Sequence, residues 1–150
     1  MWCGIDPGKK GGIAFVDGSG SYEVYRFPLV ANEFDYQEIY RLLNMHDVRG
    51  VALELVNAFP VGSRSSAFTF GRAFEVWKAF LNLSKLKHIE VRSTVWTKFM
   101  YGGKRKGLAA KEVAFIEARR LFPDWSPITK TDKELCDCLL LAEYARLKLN

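Results

Sequence analysis

The first third of the chain alternates short apolar runs with glycine-rich breaks. The runs Trp2–Ile5, Gly12–Val16 and Tyr22–Phe27 have the length and composition of strands. The breaks between them contain Pro7 to Gly11 and Asp17 to Gly20. Connections this short cannot hold a crossover helix, so the pattern predicts three strands joined as antiparallel hairpins.

The rest of the chain alternates helical and strand-like patterns. Apolar residues at helical spacing predict helices over Glu33–Met45, Ser65–Leu83, Thr94–Met100, Leu108–Leu121 and Asp132–Leu147. Short apolar runs predict further strands over Val51–Leu55 and Lys87–Val91. Ser93 or Thr94 is suited to cap the short helix, and Asp132 the last one. With the short helix left out, the order β-β-β-α-β-α-β-α-α predicts a five-stranded mixed sheet with helices on both faces.

Length and composition indicate the size of the domain and the distribution of its charge. The 150 residues, of which 49% are hydrophobic, predict one domain covering residues 1–150 with a substantial core. The formal net charge is +5, but it is unevenly placed. Residues 1–75 carry 7 basic and 9 acidic side chains, whereas residues 76–150 carry 15 and 8. The basic second half favours a polyanionic partner, although a basic run is often only a solvated face.

Cysteine use and hydropathy indicate the compartment. Cys3, Cys136 and Cys138 form no even disulfide framework, which predicts a reducing environment. Residues two apart on a helix lie on different sides, so Cys136 and Cys138 are expected to be core residues rather than metal ligands. No apolar stretch reaches membrane-span length, and residues 1–6 lack the features of a signal peptide. The expected location is cytoplasmic.

Several acidic residues lie inside otherwise apolar segments. Asp6 closes the first predicted strand, Glu54 lies within a strand, and Asp137 interrupts the apolar part of the last helix, with Glu134 one turn earlier. Because buried acids are costly unless paired or metal-bound, their simplest joint explanation is a shared Mg²⁺ site. Each also has a structural explanation: a turn for Asp6, an edge-strand charge for Glu54, a lysine partner for Asp137, and the helix dipole for Glu134.

A set of short motifs follows in a fixed order over most of the chain. They are Gly4–Gly8 with Gly11–Ala14, Ala52–Glu54, Ser65–Arg72, Val95–Lys98, Lys111–Pro123 and Lys130–Ala142. The ordered set resembles the RuvC-type Holliday-junction resolvases, and most closely the small phage-type and chloroplast-type members. The order of predicted elements is also that of the ribonuclease H-like fold, which the resemblance implies.

The resemblance implies a crossover junction endonuclease. Family members are homodimers that bind four-way DNA junctions and make paired symmetric nicks with two Mg²⁺ ions per site, for which Mn²⁺ is an alternative. By position, Asp6, Glu54 and Asp137 match the family's acids. The commoner family pattern Asp-x-x-Asp is here Glu134-x-x-Asp137, so Glu134 is the expected fourth ligand and Asp132 the reserve. The implied source is a bacterium, a phage-infected cell or an organelle.

Charge, position along the chain and the resemblance together suggest which residues meet DNA. Lys98 is the expected lysine at the scissile phosphate, with Lys111 as the other candidate. The basic residues Lys104, Arg105, Lys106 and Lys111, with Arg64 and Arg72, are expected on phosphates, and the aromatic residues Phe59, Phe68 and Phe70 at unstacked bases. Phe68 and Phe70 have an equally good alternative as core residues. Two other functions stay open: a ribonuclease H-like nuclease acting on flaps or RNA–DNA hybrids, and a non-catalytic junction-binding protein.

Overall fold

The computed structural model describes residues 1–8, 10–55, 64–102, 107–125 and 132–150, with the side chains of residues 64–67 outside this description. The strands are β1 Trp2–Asp6, β2 Gly12–Val16, β3 Tyr22–Arg26, β4 Leu29–Val30, β5 Glu33–Phe34, β6 Gly50–Leu55 and β7 His88–Arg92. The helices are α1 Tyr36–Asn44, α2 Arg64–Leu83, α3 Ser93–Tyr101, α4 Ala110–Leu121 and α5 Cys136–Leu149, preceded by a 3₁₀ turn at Asp132–Leu135.

Five strands form one mixed sheet in the order β3-β2-β1-β6-β7. The first three pair as antiparallel hairpins, while β6 and β7 run parallel to β1. This is the sheet that the hydrophobic pattern predicts, and the chain has an α/β ribonuclease H-like fold. No helix in the described ranges combines the length and apolar character needed to cross a membrane.

The two faces of the sheet carry separate cores. Because successive side chains of a strand point to opposite faces, Trp2 and Ala52 face a core built with α3, α4 and α5. Cys3, Ile5 and Leu53 face a second core built with α1 and α2. Cys136 and Cys138 are both buried and unpaired in the first core, so the expectation that they are core residues is confirmed.

The predicted start of the first helix is wrong. Glu33 and Phe34 belong to a small β4–β5 hairpin and not to the first helix, because Ala31 and Asn32 adopt positive φ in a tight turn. Helix α1 therefore begins later, and Asp35 caps it by accepting a hydrogen bond from the Glu38 N–H.

The caps of the later helices also differ from those predicted. Helix α3 begins at Ser93 itself, directly after β7, and the Arg92 side chain at its N-cap position makes no capping hydrogen bond. Asp132 is the first residue of the 3₁₀ turn, not the N-cap of α5. Its carboxylate is instead paired with Arg26 on β3.

Candidate active site

Three acidic side chains meet at one edge of the sheet, on the face covered by α5. Asp6 ends β1, and Glu54 lies at the corresponding end of the parallel strand β6, where Ile5 is paired with Leu53. By the two-residue period, Asp6 shares a face with Trp2, and Glu54 shares it with Ala52. Asp137, the second residue of α5, comes to the same place from the helix that covers this face.

The turn after β1 shapes the surroundings of Asp6. Its Oδ1 accepts a hydrogen bond from the Gly8 N–H at 2.9 Å, which orients the carboxylate. A Cβ on Gly11 would lie 2.5 Å from Asp6 Cγ and 2.6 Å from Asp6 Oδ2. Only glycine therefore leaves room for the carboxylate at this point, so Gly11 belongs to the site as much as the acid itself.

Another glycine sets the position of Asp137. A Cβ on Gly4 would lie 2.6 Å from the carbonyl carbon of Leu141 and closer still to the Ala142 nitrogen and the Cys138 oxygen. The α5 backbone therefore rests directly on β1. This close approach brings the N-terminal turn of α5, with Asp137, to the strand end that carries Asp6.

The electrostatics reflect three carboxylates crowded into a poorly solvated place. Burial, together with the charges of Asp6 and Asp137, raises the pKa of Glu54 to about 8. Burial and the charge of Asp6 raise the pKa of Asp137 to about 7. Burial also raises the pKa of Asp6, against the opposing effects of the Gly8 hydrogen bond and the Lys111 charge. Each acid is therefore costly to ionise until a positive charge arrives.

Of the basic residues that the structure describes, Lys111 on α4 is the one that acts on these acids. Its Nζ forms an ion pair with Glu134, and its charge lowers the pKa of both Asp6 and Asp137. Lys98, the sequence-based choice for this role, is exposed on α3, and no described ion pair or pKa shift of the acids involves it. The geometry therefore favours Lys111 over Lys98 as the lysine of the site.

The two candidates for a fourth ligand both lie just before α5. Glu134 pairs with Lys111, and Asp132 pairs with Arg26. Of the two, Glu134 is linked to the carboxylate cluster, because its partner Lys111 also acts on Asp6 and Asp137. The expectation that Glu134 is the fourth ligand, with Asp132 as the alternative, agrees with this placement and stays a prediction.

The chemistry of the cluster fits a hard divalent cation. All its donors are carboxylate oxygens, the ligands that Mg²⁺ prefers, and Gly11 keeps the space beside Asp6 free of a side chain. Among the described residues, however, no three His, Cys, Asp or Glu side chains lie close enough to hold a metal ion as they stand. Mutual repulsion opposes a closer approach of the acids, so cation binding would have to draw them together.

The raised pKa values predict an unusual pH dependence for the metal-free protein. In the unfolded chain these acids lose their protons near pH 4, whereas folded Asp137 and Glu54 keep them until about 7 and about 8. The folded state therefore binds more protons between these limits, and this contribution to the free energy of unfolding falls as pH rises from about 4 to about 8. Urea titrations in EDTA should record the decline.

A matched pair of variants isolates this effect. Asp137→Asn should flatten the decline with pH, because one carboxylate is gone and Glu54 loses one of its repelling neighbours. Asp47→Asn, at an exposed position before β6, should leave it unchanged. Equal slopes for wild type and Asp137→Asn would show that these acids are not destabilised in the folded state.

The described aromatic candidates lie on the surface, and the Phe70 ring lies next to the Asp6 turn. Phe68 and Phe70 are 68% and 40% exposed on α2, so the core alternative for them is wrong. A Cβ on Gly8 would lie 3.2 Å from the Phe70 ring, which places this ring against the Asp6 turn. Arg72 lies over the Phe68 ring and pairs with Glu33. Phe59, Lys104, Arg105, Lys106 and the Arg64 side chain lie outside the described residues.

Two residues of the site were not predicted. The Trp96 indole N–H donates to Glu54 Oε1 at 3.4 Å, and the Tyr101 ring packs edge-on against Trp96. The pKa of Tyr101 is raised by burial and by the charges of Asp137 and Glu54, which places its phenol beside the acids. The available signal was weak: a buried tryptophan N–H usually finds an acceptor, but the sequence does not show which one.

Comparisons with known proteins give structural matches. No protein-family model and no curated protein matches the chain in sequence. Solved structures are similar in fold. One is RuvC of Thermus thermophilus, with 20% sequence identity and a TM-score of 0.65, covering 98% of this chain and 96% of that one. The T. thermophilus RuvC in complex with a Holliday junction substrate matches at 18% identity and TM-score 0.66, covering 95% and 91%. At near-full coverage, the chain thus has the fold of RuvC, which is a ribonuclease H-like fold.

Proposed function

We propose that the protein is a metal-dependent, structure-specific endonuclease that resolves four-way and related branched DNA junctions. One observation carries the proposal. Three partly buried carboxylates, from β1, β6 and α5, meet at one sheet edge with raised pKa values and Lys111 beside them. Buried acids whose pKa values are strongly raised are typical of functional sites. The RuvC fold around them, one of whose solved examples holds a Holliday junction substrate, points to DNA.

The residues divide the chemical work between them. Asp6, Glu54, Asp137 and Glu134 are proposed to hold two Mg²⁺ ions, with Mn²⁺ as an alternative. When bound, these ions would supply an activated water and charge stabilisation for phosphodiester hydrolysis. Asp6 is held by the Gly8 N–H and repels both other acids, so it occupies the centre of the proposed site. Lys111 would exchange its Glu134 partner for the phosphate that is cut.

The surface beside the acids suits a branched duplex. Phe68 and Phe70 present exposed rings, that of Phe70 next to the Asp6 turn, and a base unstacked at a branch point can stack on such rings. Arg72 lies over the Phe68 ring and adds positive charge there, and the surplus of basic residues in the second half of the chain favours phosphate contacts. Each phosphate contact should make binding more sensitive to salt.

Paired nicks require two active sites. Each chain carries one set of acids, so we propose that the working form is a symmetric homodimer, with one site for each of the two strands that are cut. Sedimentation velocity across a concentration series, with and without junction DNA, measures this directly. A monomer in both conditions would contradict the dimer and leave the nuclease site unaffected.

A cleavage assay tests the proposal. The purified protein is incubated with Mg²⁺ and a four-way junction, a flap, an RNA–DNA hybrid or a linear duplex. We expect cleavage of the junction with paired, symmetric nicks and little cleavage of the linear duplex. Preference for the flap or the hybrid would assign the chain to another class of ribonuclease H-like nuclease. Tight junction binding without cleavage would indicate a non-catalytic junction-binding protein.

The identity of the active-site lysine gives a separate prediction. Lys111→Met removes the charge but keeps the aliphatic stem, and we expect junction cleavage to fall by about 10²-fold, the usual scale for losing one group that stabilises transition-state charge. Lys98→Met serves as the matched control and should retain most of the activity. Single-turnover cleavage at saturating enzyme separates this effect from DNA binding. The reverse ranking of the two variants would restore Lys98 as the catalytic lysine.

A further inference from the structure

Trp96 is in contact with one of the proposed metal ligands. It is 1% exposed, and its indole N–H donates to Glu54 Oε1 at 3.4 Å, a long hydrogen bond between a buried donor and a partly buried acceptor. No other hydrogen bond to the Glu54 carboxylate is found in the described part of the chain. Within the described residues, one neutral donor therefore orients this carboxylate.

The sheet register places Trp96 there. Glu54 on β6 is paired with Val91 on β7, and α3 begins only two residues after Val91. The first turn of α3 therefore passes beside the end of β6, and its fourth residue, Trp96, reaches Glu54. Helix α3 also ends with Tyr101, whose ring lies 6.1 Å from that of Trp96 at 87° and restricts the orientation of the indole.

Two other buried tryptophans, Trp2 and Trp77, behave differently. The indole nitrogens of Trp2 and Trp77 are buried without a hydrogen-bond partner in the described structure. Burial alone thus does not supply an acceptor for an indole in this fold. The contact of Trp96 with Glu54 is particular to the acidic cluster, and Trp77, which is fully buried on the opposite face of the sheet, provides a matched control.

We propose that Trp96 is a positioning residue: its indole N–H, backed by the Tyr101 ring, fixes the Glu54 carboxylate for binding a divalent cation. This inference rests on the proposed nuclease site. The donor is neutral, so it orients the carboxylate without competing for its charge as a lysine would. Outer-shell hydrogen bonds of this kind typically contribute 10- to 100-fold to metal affinity.

The test compares Trp96→Phe with Trp77→Phe. Both changes remove an indole from a core, but only the first removes the donor to Glu54. Mg²⁺ and Mn²⁺ affinities are measured by isothermal titration calorimetry on the full chain without DNA, with melting temperatures as the folding control. We expect about 10-fold weaker metal binding for Trp96→Phe and unchanged binding for Trp77→Phe. Equal affinities for Trp96→Phe and wild type would overturn the proposal.

A second readout needs no substitution at the site. In protein labelled with 5-fluorotryptophan, the ¹⁹F resonance of Trp96, identified by its absence from Trp96→Phe, should shift when Mg²⁺ is added, and that of Trp77 should not. If the Trp96 resonance does not shift on addition of Mg²⁺ while calorimetry records binding, the positioning role alone is refuted. A wild-type chain that neither binds metal nor cleaves junctions refutes the proposed function as well.

Discussion

Replacing Asp6 with Asn is expected to abolish junction cleavage and at the same time to stabilise the metal-free protein. Asn is isosteric and can still accept the Gly8 N–H bond, so the turn is preserved. After burial, the lost charge is the next-largest cause of the raised pKa of both Glu54 and Asp137, so its removal relieves repulsion within the folded state. Cleavage should fall by roughly 10³-fold or more, the scale for a group central to catalysis.

The opposite signs of the two effects make the result informative. A variant that melts at a higher temperature in EDTA, binds the junction and does not cut it cannot have lost activity by unfolding. Asp47→Asn, at an exposed position before the start of β6 and away from its Glu54 end, should change neither property. Cleavage that survives in Asp6→Asn would remove Asp6 from the active site and with it the proposed two-metal arrangement.

The second large effect is expected at Gly4, where a valine should destabilise the whole fold. Its side chain would have to occupy space held by backbone atoms of Cys138, Leu141 and Ala142, and backbone cannot rotate away as a side chain can. Overpacking of this kind costs about 3 kcal/mol or more. For a chain of this size, that corresponds to a melting temperature lower by roughly 6–12 °C.

Gly4→Val also tests the geometry of the site. Any shift that accommodates the side chain must move α5 away from β1. Because Asp137 lies on α5, this shift would also move Asp137 away from Asp6. Gly71→Ala is the control, since a Cβ there meets nothing within 4 Å and alanine favours the helix. It should be neutral or slightly stabilising. A Gly4→Val protein as stable as wild type would mean that α5 does not rest on β1 as described.

Much of the acidic cluster could be predicted from the sequence. Asp6, Glu54 and Asp137 each interrupt an apolar segment, and an acid among core residues is visible in any sequence because burial makes it costly. The hairpins and the alternating second half similarly predict a mixed sheet, since short connections permit only antiparallel pairing. These conclusions need only local pattern, and the structure confirms the fold that follows from them.

Contacts between distant segments could not be predicted in this way. Lys98 lies close in sequence to the end of β7, yet among the described lysines it is Lys111 that lies beside the acids, because the packing of α4 on α5 decides which side chain reaches them. The capping role expected of Asp132 failed for the same reason: Arg26, 106 residues away, engages its carboxylate.

The sequence by itself thus determined which residues are unfavourable in free energy to bury and which segments form strands and helices. Both depend on short-range chemistry and periodicity. Only the tertiary structure decided the partners of those residues: Trp96 on Glu54, Lys111 on Glu134, and α5 against Gly4. The physical reason is that a hydrogen bond, an ion pair or a backbone contact acts over a few ångströms of space. Helix packing sets those distances, and no local pattern records them.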